Sequence, residues 1–200
     1  MGVPTPQVKK GYIRGVVGLV ITALQSSGAP QEPAATPYGI KTSPQVGVSV
    51  VSEGGAATAL RGGDKVLAYV KDPDTIVAVN LAVQNARFDA KAIQVMAGGT
   101  LKTDAGDAIT GWTHPTIEEQ QNPPYFQADV YARAHGAHGE VEGYMKYSFP
   151  YCRATVGNET LQDKVFTVPE LKVECFENPS TGASVYGKEI VAALPAELTA

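Results

Sequence analysis

Cysteine is scarce in this chain, with two in 200 residues, and two cannot build the disulfide framework on which small secreted domains depend. Cys152 and Cys175 both close apolar strand patterns, so they read as free packed thiols, with a disulfide as the alternative. Charge is also sparse, at 18% of residues and a net −4. That balance argues against a protein that grips nucleic acid or an anionic membrane, but not against one that lets nucleic acid pass without sticking. Lysines and arginines are scattered, and no basic stripe is interleaved with aromatics. No apolar run approaches the length needed to cross a bilayer as a helix. No serine sits in a Gly-x-Ser-x-Gly elbow, neither cysteine lies in a nucleophile motif, and Gly54-Gly55 with Arg61-Gly62-Gly63-Asp64 lacks the spacing of a phosphate cradle. The sequence therefore argues against an enzyme, and it implies no cofactor and no metal.

Alternation is what the chain has most of. Phe126, Ala128, Val130, Ala132 and Ala134 take one face of a first run, against Tyr125, Gln127, Asp129, Tyr131, Arg133 and His135. After the turn at 135–139, Val141, Gly143, Met145, Tyr147, Phe149 and Tyr151 oppose Glu140, Glu142, Tyr144, Lys146 and Ser148. A period of two marks strands with one buried face, and the glycine-bearing turn joins them as a hairpin. Each run has about 11 residues, where strands usually have about 5 or 6. So tall a sheet is more than a 200-residue domain needs to close its own core, and it suits one panel of a larger wall.

The rest of the chain fits a mainly β domain spanning 1–200. An irregular lead at 1–11 precedes a strand over Tyr12–Leu24, whose apolar run Val16–Leu24 follows Lys9, Lys10 and Arg14. That order imitates a secretory signal, whereas its β-branched residues, Gly18 and Thr22 suit a buried strand. N-myristoylation is excluded because Pro6 stands where Ser or Thr is required. A short strand is expected at Tyr38–Thr42 and another at Gln45–Ser52, with Val46, Val48 and Val50 on one face. A long loop follows to Gly63, and loops of that length tend to be functional. Asp64–Lys71 and Thr75–Gln84 then read as a hairpin around Asp72-Pro73-Asp74. Asp89 caps a helix to Ala97 with the stripe Phe88, Ala92, Val95 and Met96, and Gly98-Gly99 ends it. Residues 102–123 read as a surface excursion. Val165–Phe176 reads as an edge strand because of Pro169, and Ser184–Val191 as the last strand. Seven to nine antiparallel strands with one short flanking helix make a β-sandwich or barrel.

Candidate chemistry is thin. His135 and His138 near Glu140 and Glu142 suggest a metal-dependent site, but a Gly-flanked turn offers no rigid support. His114 and the pair Glu118-Glu119 read as solvated loop residues.

In this order, three stretches resemble the major tail protein, the tail-tube subunit, of long-tailed non-contractile bacteriophages. They are Gln45–Val70 with Leu60-Arg61-Gly62-Gly63-Asp64-Lys65, Asn85–Gly99 with its helix and double glycine, and Pro169–Val173 with the close Glu189–Pro195. The resemblance implies a β-sandwich with a helix on one flank, assembled into hexameric rings that stack as a hollow tube for genome ejection. It implies partners: further copies of the chain, a tape measure protein, a distal tail protein, tail completion proteins, and double-stranded DNA in passage. It also implies a place in the virion tail after assembly in the host cytoplasm, with no membrane. By position, 52–63 becomes the ring-stacking loop, with Glu53, Gly54, Gly55, Leu60, Arg61, Gly62 and Gly63 as its candidate residues. Candidates for the lumen wall are Gln127, Asp129, Arg133, Glu140, Glu142 and Lys146. Residues 102–123 match no family element. Two other readings stand beside it: a secreted β-sandwich binding module, and the inner tube of a contractile or secretion-type injection machine.

Overall fold

The computed structural model describes residues 11–41 and 45–199. The chain is mainly β and antiparallel, with twelve strands and two helices among the described residues. The strands are β1 (Tyr12–Leu24), β2 (Tyr38–Ile40), β3 (Gln45–Glu53), β4 (Ala57–Gly62), β5 (Lys65–Lys71), β6 (Thr75–Gln84), β7 (Thr100–Thr103), β8 (Ile109–Thr113), β9 (Tyr125–His135), β10 (Val141–Val156), β11 (Glu170–Cys175) and β12 (Gly187–Val191). Helix α1 (Ala90–Ala97) follows β6, and the single turn α2 (Ala196–Thr199) follows β12. Eight strands share one sheet in the order β2-β1-β9-β10-β11-β6-β3, with β12 also on β10.

The long hairpin is β9 and β10, and β10 organises the rest. One of its edges pairs with β9; the other is divided, with β12 on Tyr144–Ser148 and β11 on Cys152–Val156. Between the two halves the register shifts from Phe149 to Cys152, across Pro150, which has no N–H to give to the ladder. The sheet folds over at this bulge. Val46, Val48 and Val50 of β3 thereby line one groove with Ile13, Val16, Val130 and Ala132 of β1 and β9, although these strands lie towards opposite ends of the order. Leu19, Ile21, Phe126, Val130 and Phe149 from one layer meet Val79, Leu81, Leu171 and Val173 from the other in a single core. The expected sandwich is present, with its mouth open between β1 and β3. Val48 and Val50 point inward yet remain 48% and 45% exposed.

Several expectations need correction. The residues read as a loop to Gly63 contain β4, which pairs with β5, while β6 pairs with β3. Asp72-Pro73-Asp74 is therefore a joint in a longer ribbon, and the tight turn lies at Gly63-Asp64. Tyr151 does not share the side of Phe149: the bulge turns Cys152 and Ala154 inward, and Tyr151 stacks on Tyr125 with ring centroids 4.6 Å apart. In α1 the Asp89 side chain accepts from the Ala92 amide as expected, but the buried stripe runs through Ala92, Ile93 and Met96, and Phe88 is exposed. β11 begins only after Pro169 and is flanked by β10 and β6, so it is no edge strand. Val165 lies outside it and is exposed. Residues 102–123 contribute to the β7–β8 hairpin, whose Trp112 Nε1 donates to the Gly98 carbonyl at 2.8 Å, fastening it to the end of α1. The expected strand to Thr42 is described only as far as Ile40, residue 42 lying outside the described residues, as does most of the lead at 1–11.

The fold-over is held by polar contacts that no periodicity announces. Buried Asn178 donates to the carbonyls of Gly28 (3.0 Å) and Pro150 (3.3 Å), while its Oδ1 accepts from the amides of Ser180 and Thr181. The Tyr151 hydroxyl donates to the Ser26 carbonyl at 2.7 Å. Asn178→Ala strands several of these partners at once, and each buried group left unpaired costs about 1–3 kcal/mol. Asn178→Ala is therefore expected to lower the unfolding free energy by about 2–3 kcal/mol in denaturant titrations. Phe166→Ala, which removes a side chain 96% exposed, is expected to leave it within about 0.5 kcal/mol.

Candidate assembly surface

Of the proposed stacking residues, Leu60, Arg61, Gly62 and Gly63 belong to a projecting two-stranded arm, and Glu53, Gly54 and Gly55 form its root. The root is tight. The Asp72 amide donates to the Ala56 carbonyl at 2.9 Å, and the Gly55 amide donates to Asp74 Oδ1 at 3.0 Å. Lys71 Nζ lies 3.0 Å from the same oxygen. The Lys71 contact and the Gly55 amide hold the Asp74 carboxyl below its usual range. A side chain at Gly55 would run into the Asp72 carbonyl, so only glycine allows the two strands to cross this closely.

Beyond the root every residue of β4 and β5 is exposed. Register places Thr58, Leu60, Ala68 and Val70 on one face and Ala57, Ala59, Tyr69 and Lys71 on the other. Leu60, Val66, Leu67, Tyr69 and Val70 are between 53% and 65% exposed. A solitary hairpin is marginal in water even with one face covered, and here both faces are apolar and bare. The exposed large side chains of β5 were missed in the sequence because Lys65–Lys71 was assigned to the wrong hairpin. The signal was present in Gly62-Gly63-Asp64, a short turn between two alternating runs.

Sheet edges supply a second unpartnered surface. β3 pairs only with β6 among the described residues, and its other edge from Val46 to Glu53 carries no lysine or proline. β1 carries β2 only on Leu19–Ile21, and among the described residues nothing else pairs with that edge from Tyr12 to Gly18. Natural edge strands are usually blunted by charge, proline, bulges or cover; β1 has Arg14 and two bulges there, whereas β3 has only Glu53 at its end.

The candidate lumen residues fall into two groups. Gln127, Asp129, Arg133 and Lys146 share the outer face of β9 and β10, and Glu140 and Glu142 crowd Gly136 in the turn beyond. Asp129 and Lys146 are not free wall charges, since Lys146 Nζ lies 3.5 Å from both Asp129 Oδ2 and Glu189 Oε1. The Gln127 amide donates to Asp129 Oδ2 at 3.1 Å. Beside them Val20, Tyr131 and Leu198 form a small second core, with Val17, Tyr144, Val191 and Leu194 against it. Leu198 of α2 sits directly over Gly18, where an added Cβ would lie 2.7 Å from Leu198 Cδ2. This cover by the C-terminal segment was not legible, because a four-residue helix has no period to read.

The histidines do not converge on a site. His135 Nδ1 lies 2.8 Å from the Gly139 carbonyl and His114 Nδ1 lies 2.9 Å from the Pro115 carbonyl, so both ring nitrogens serve their own loops. Among the described residues no three of His, Cys, Asp or Glu are grouped as metal ligands. Cys152 and Cys175 stand opposite one another in β10 and β11 as free, fully buried thiols, with Sγ atoms 3.1 Å apart. Burial and the neighbouring thiol push Cys152 well above the usual thiol range.

No family model matches the chain, and no curated protein matches it in sequence. Among solved structures it aligns with a chain of the cryo-EM structure of the anti-feeding prophage baseplate, 6-fold symmetrised, over 95% of this chain and 98% of that one. Identity is 8% and the TM-score 0.34. A likeness at that level carries no argument about function, so the arm and the open edges must bear it.

The outer-face cluster has a consequence for alkaline stability. Burial works against the Lys146 ammonium, but Asp129, Tyr131 and Glu189 outweigh it and raise its pKa. Burial raises the Tyr131 and Tyr38 phenols, and burial with Tyr125 pushes Tyr151 up to about 12. The native state thus keeps protons that the unfolded chain begins to release near pH 10. Stability is full below that point and falls as pH rises through the folded values. Urea midpoints measured from pH 9 to about 11.5 are expected to decline, with a shallower decline in Tyr131→Phe and Lys146→Met; a flat profile would contradict this account.

Proposed function

We propose that this chain is a structural subunit of a non-contractile phage tail tube. In this reading copies join side by side into rings, rings stack, and the bore carries double-stranded DNA without binding it by sequence. The arm carries the reading, for it is an apolar ribbon bare on both faces, held at a built root and projecting from the domain. A monomer gains nothing from such an element; a second copy that covers it gains the burial of several large side chains, each worth roughly 1.5–3 kcal/mol. The open edge of β3 supports side-by-side pairing, because joining it to the next copy removes that liability. The role is mechanical and needs no catalytic residue. The tape measure, distal tail and tail completion proteins are the partners at the tube ends, and the location is the virion tail.

Replacing residues 57–71 with a two-residue turn between Ala56 and Asp72 tests the reading. The shortened chain is expected to fold with an unchanged thermal midpoint and to remain a monomer or single ring by sedimentation and negative-stain microscopy. The full chain, at the same high concentration, is expected to form stacked rings or hollow rods. Rods of normal length from the shortened chain would end the stacking role.

A further inference from the structure

Register fixes where the arm sits relative to the rest of the molecule. It leaves the sheet at the Glu53–Thr75 pair of β3 and β6. The far end of β6 is Gln84, which pairs with Gln45 on one side and Glu170 on the other. Nine residues of strand separate the two ends, about 30 Å at ~3.3 Å per residue.

At that far end lies a second concentration of uncovered apolar side chains. The connection from β10 to β11 exposes Leu161 by 80%, Val165 by 60% and Phe166 by 96%, and the segment before β9 exposes Ile117 by 83%. A groove of about 630 Å³ opens at the same end of the sheet, with Pro115, Pro123, Pro124 and Val156 in its walls.

Charge distinguishes the two ends. The arm's tip carries Arg61 and Lys65 against Asp64, Lys71 being held by Asp74 at 3.0 Å. Around the groove at the far end lie Glu118, Glu119, Glu159 and Glu170 against Lys172, while Arg153–Glu174 and Lys164–Asp163 pair at 2.7 and 3.9 Å. An apolar ribbon tipped by two cations at one end and an apolar groove with carboxylates about it at the other fit each other and cannot meet within one copy.

We propose that the arm of one copy seats, head to tail, on the far end of a second copy, against the groove and the 157–169 connection. The inference rests on the stacking role and names its receiving surface. A contact between different surfaces, repeated along an axis, does not close and so builds a stack.

Two full-length variants, Leu67→Cys and Phe166→Cys, test it when mixed under assembly conditions with a short bismaleimide; the native thiols are fully buried and give the background. Cross-linked dimer is expected from the mixture and not from either variant alone. Separately, Glu118→Lys with Asp163→Lys is expected to raise the concentration needed for assembly roughly tenfold, and Arg61→Glu with Lys65→Glu in the same chain to restore it. Assembly that needs the arm but ignores both tests would overturn this surface and leave stacking intact. Normal assembly without the arm, or no assembly of the intact chain, would remove the stacking role and this surface with it.

Discussion

A single strand with one divided edge governs this molecule. β10 is paired along β9 on one side, and on the other it serves β12 first and β11 afterwards. Had it run straight, one continuous sheet would have had to cover both faces of its own hydrophobic surface, which an open sheet cannot do. The bulge across Pro150 lets the second half of β10 leave the first layer and carry β11, β6 and β3 over the core. Asn178 and Tyr151 hold that bulge by hydrogen-bonding the backbone of both β10 and the turn after β1. The core, the open mouth between β1 and β3, and the direction in which the arm leaves all follow from where this strand bends.

Local signals were legible where the relevant physics is local. β3, β9 and most of β10 show a period of two, β1 shows a β-branched apolar run, and α1 shows its Asp89 cap and glycine stop, so these elements can be read without knowing what covers them. Pairing is a different matter. Between Gln45 and Gln84 the sequence offers two plausible turns, at Gly62-Gly63-Asp64 and at Asp72-Pro73-Asp74, and each alone suggests a different hairpin. Both are used: the first as the turn and the second as the joint between the two halves of a long antiparallel ribbon. Only the choice of partner strands, which depends on the whole layer, separates the two. The same holds for Tyr151, whose side is decided by a bulge, and for Leu198, whose burial depends on Gly18 far away in the chain.

The conformation of the candidate segment was not legible. Residues 52–63 were singled out as a reaching loop, whereas the structure makes them half of a ribbon whose other half supplies Val66, Leu67, Tyr69 and Val70. The distinction matters energetically. A loop that orders on contact must lose conformational freedom at that moment, roughly 1–2 kcal/mol per residue for the backbone alone. A ribbon already hydrogen-bonded along its length has met much of that cost before a partner arrives, and it presents its side chains in fixed positions.

An exposed apolar ribbon and an open edge on β3 are also hazards, since any chain with a free strand could pair with them. The distribution of charge limits this. Arm cations and far-end carboxylates lie at opposite ends of β6, so two copies meeting arm to arm bring like charges together, while head-to-tail contact brings opposite ones. Coulombic steering of this kind is weak for each exposed pair and screened by salt. It need not supply affinity, because the apolar area does that. In the proposed assembly it would have only to penalise the symmetric encounter, which would cap growth at a dimer, relative to the head-to-tail one, which would leave a fresh arm and a fresh groove at the two ends.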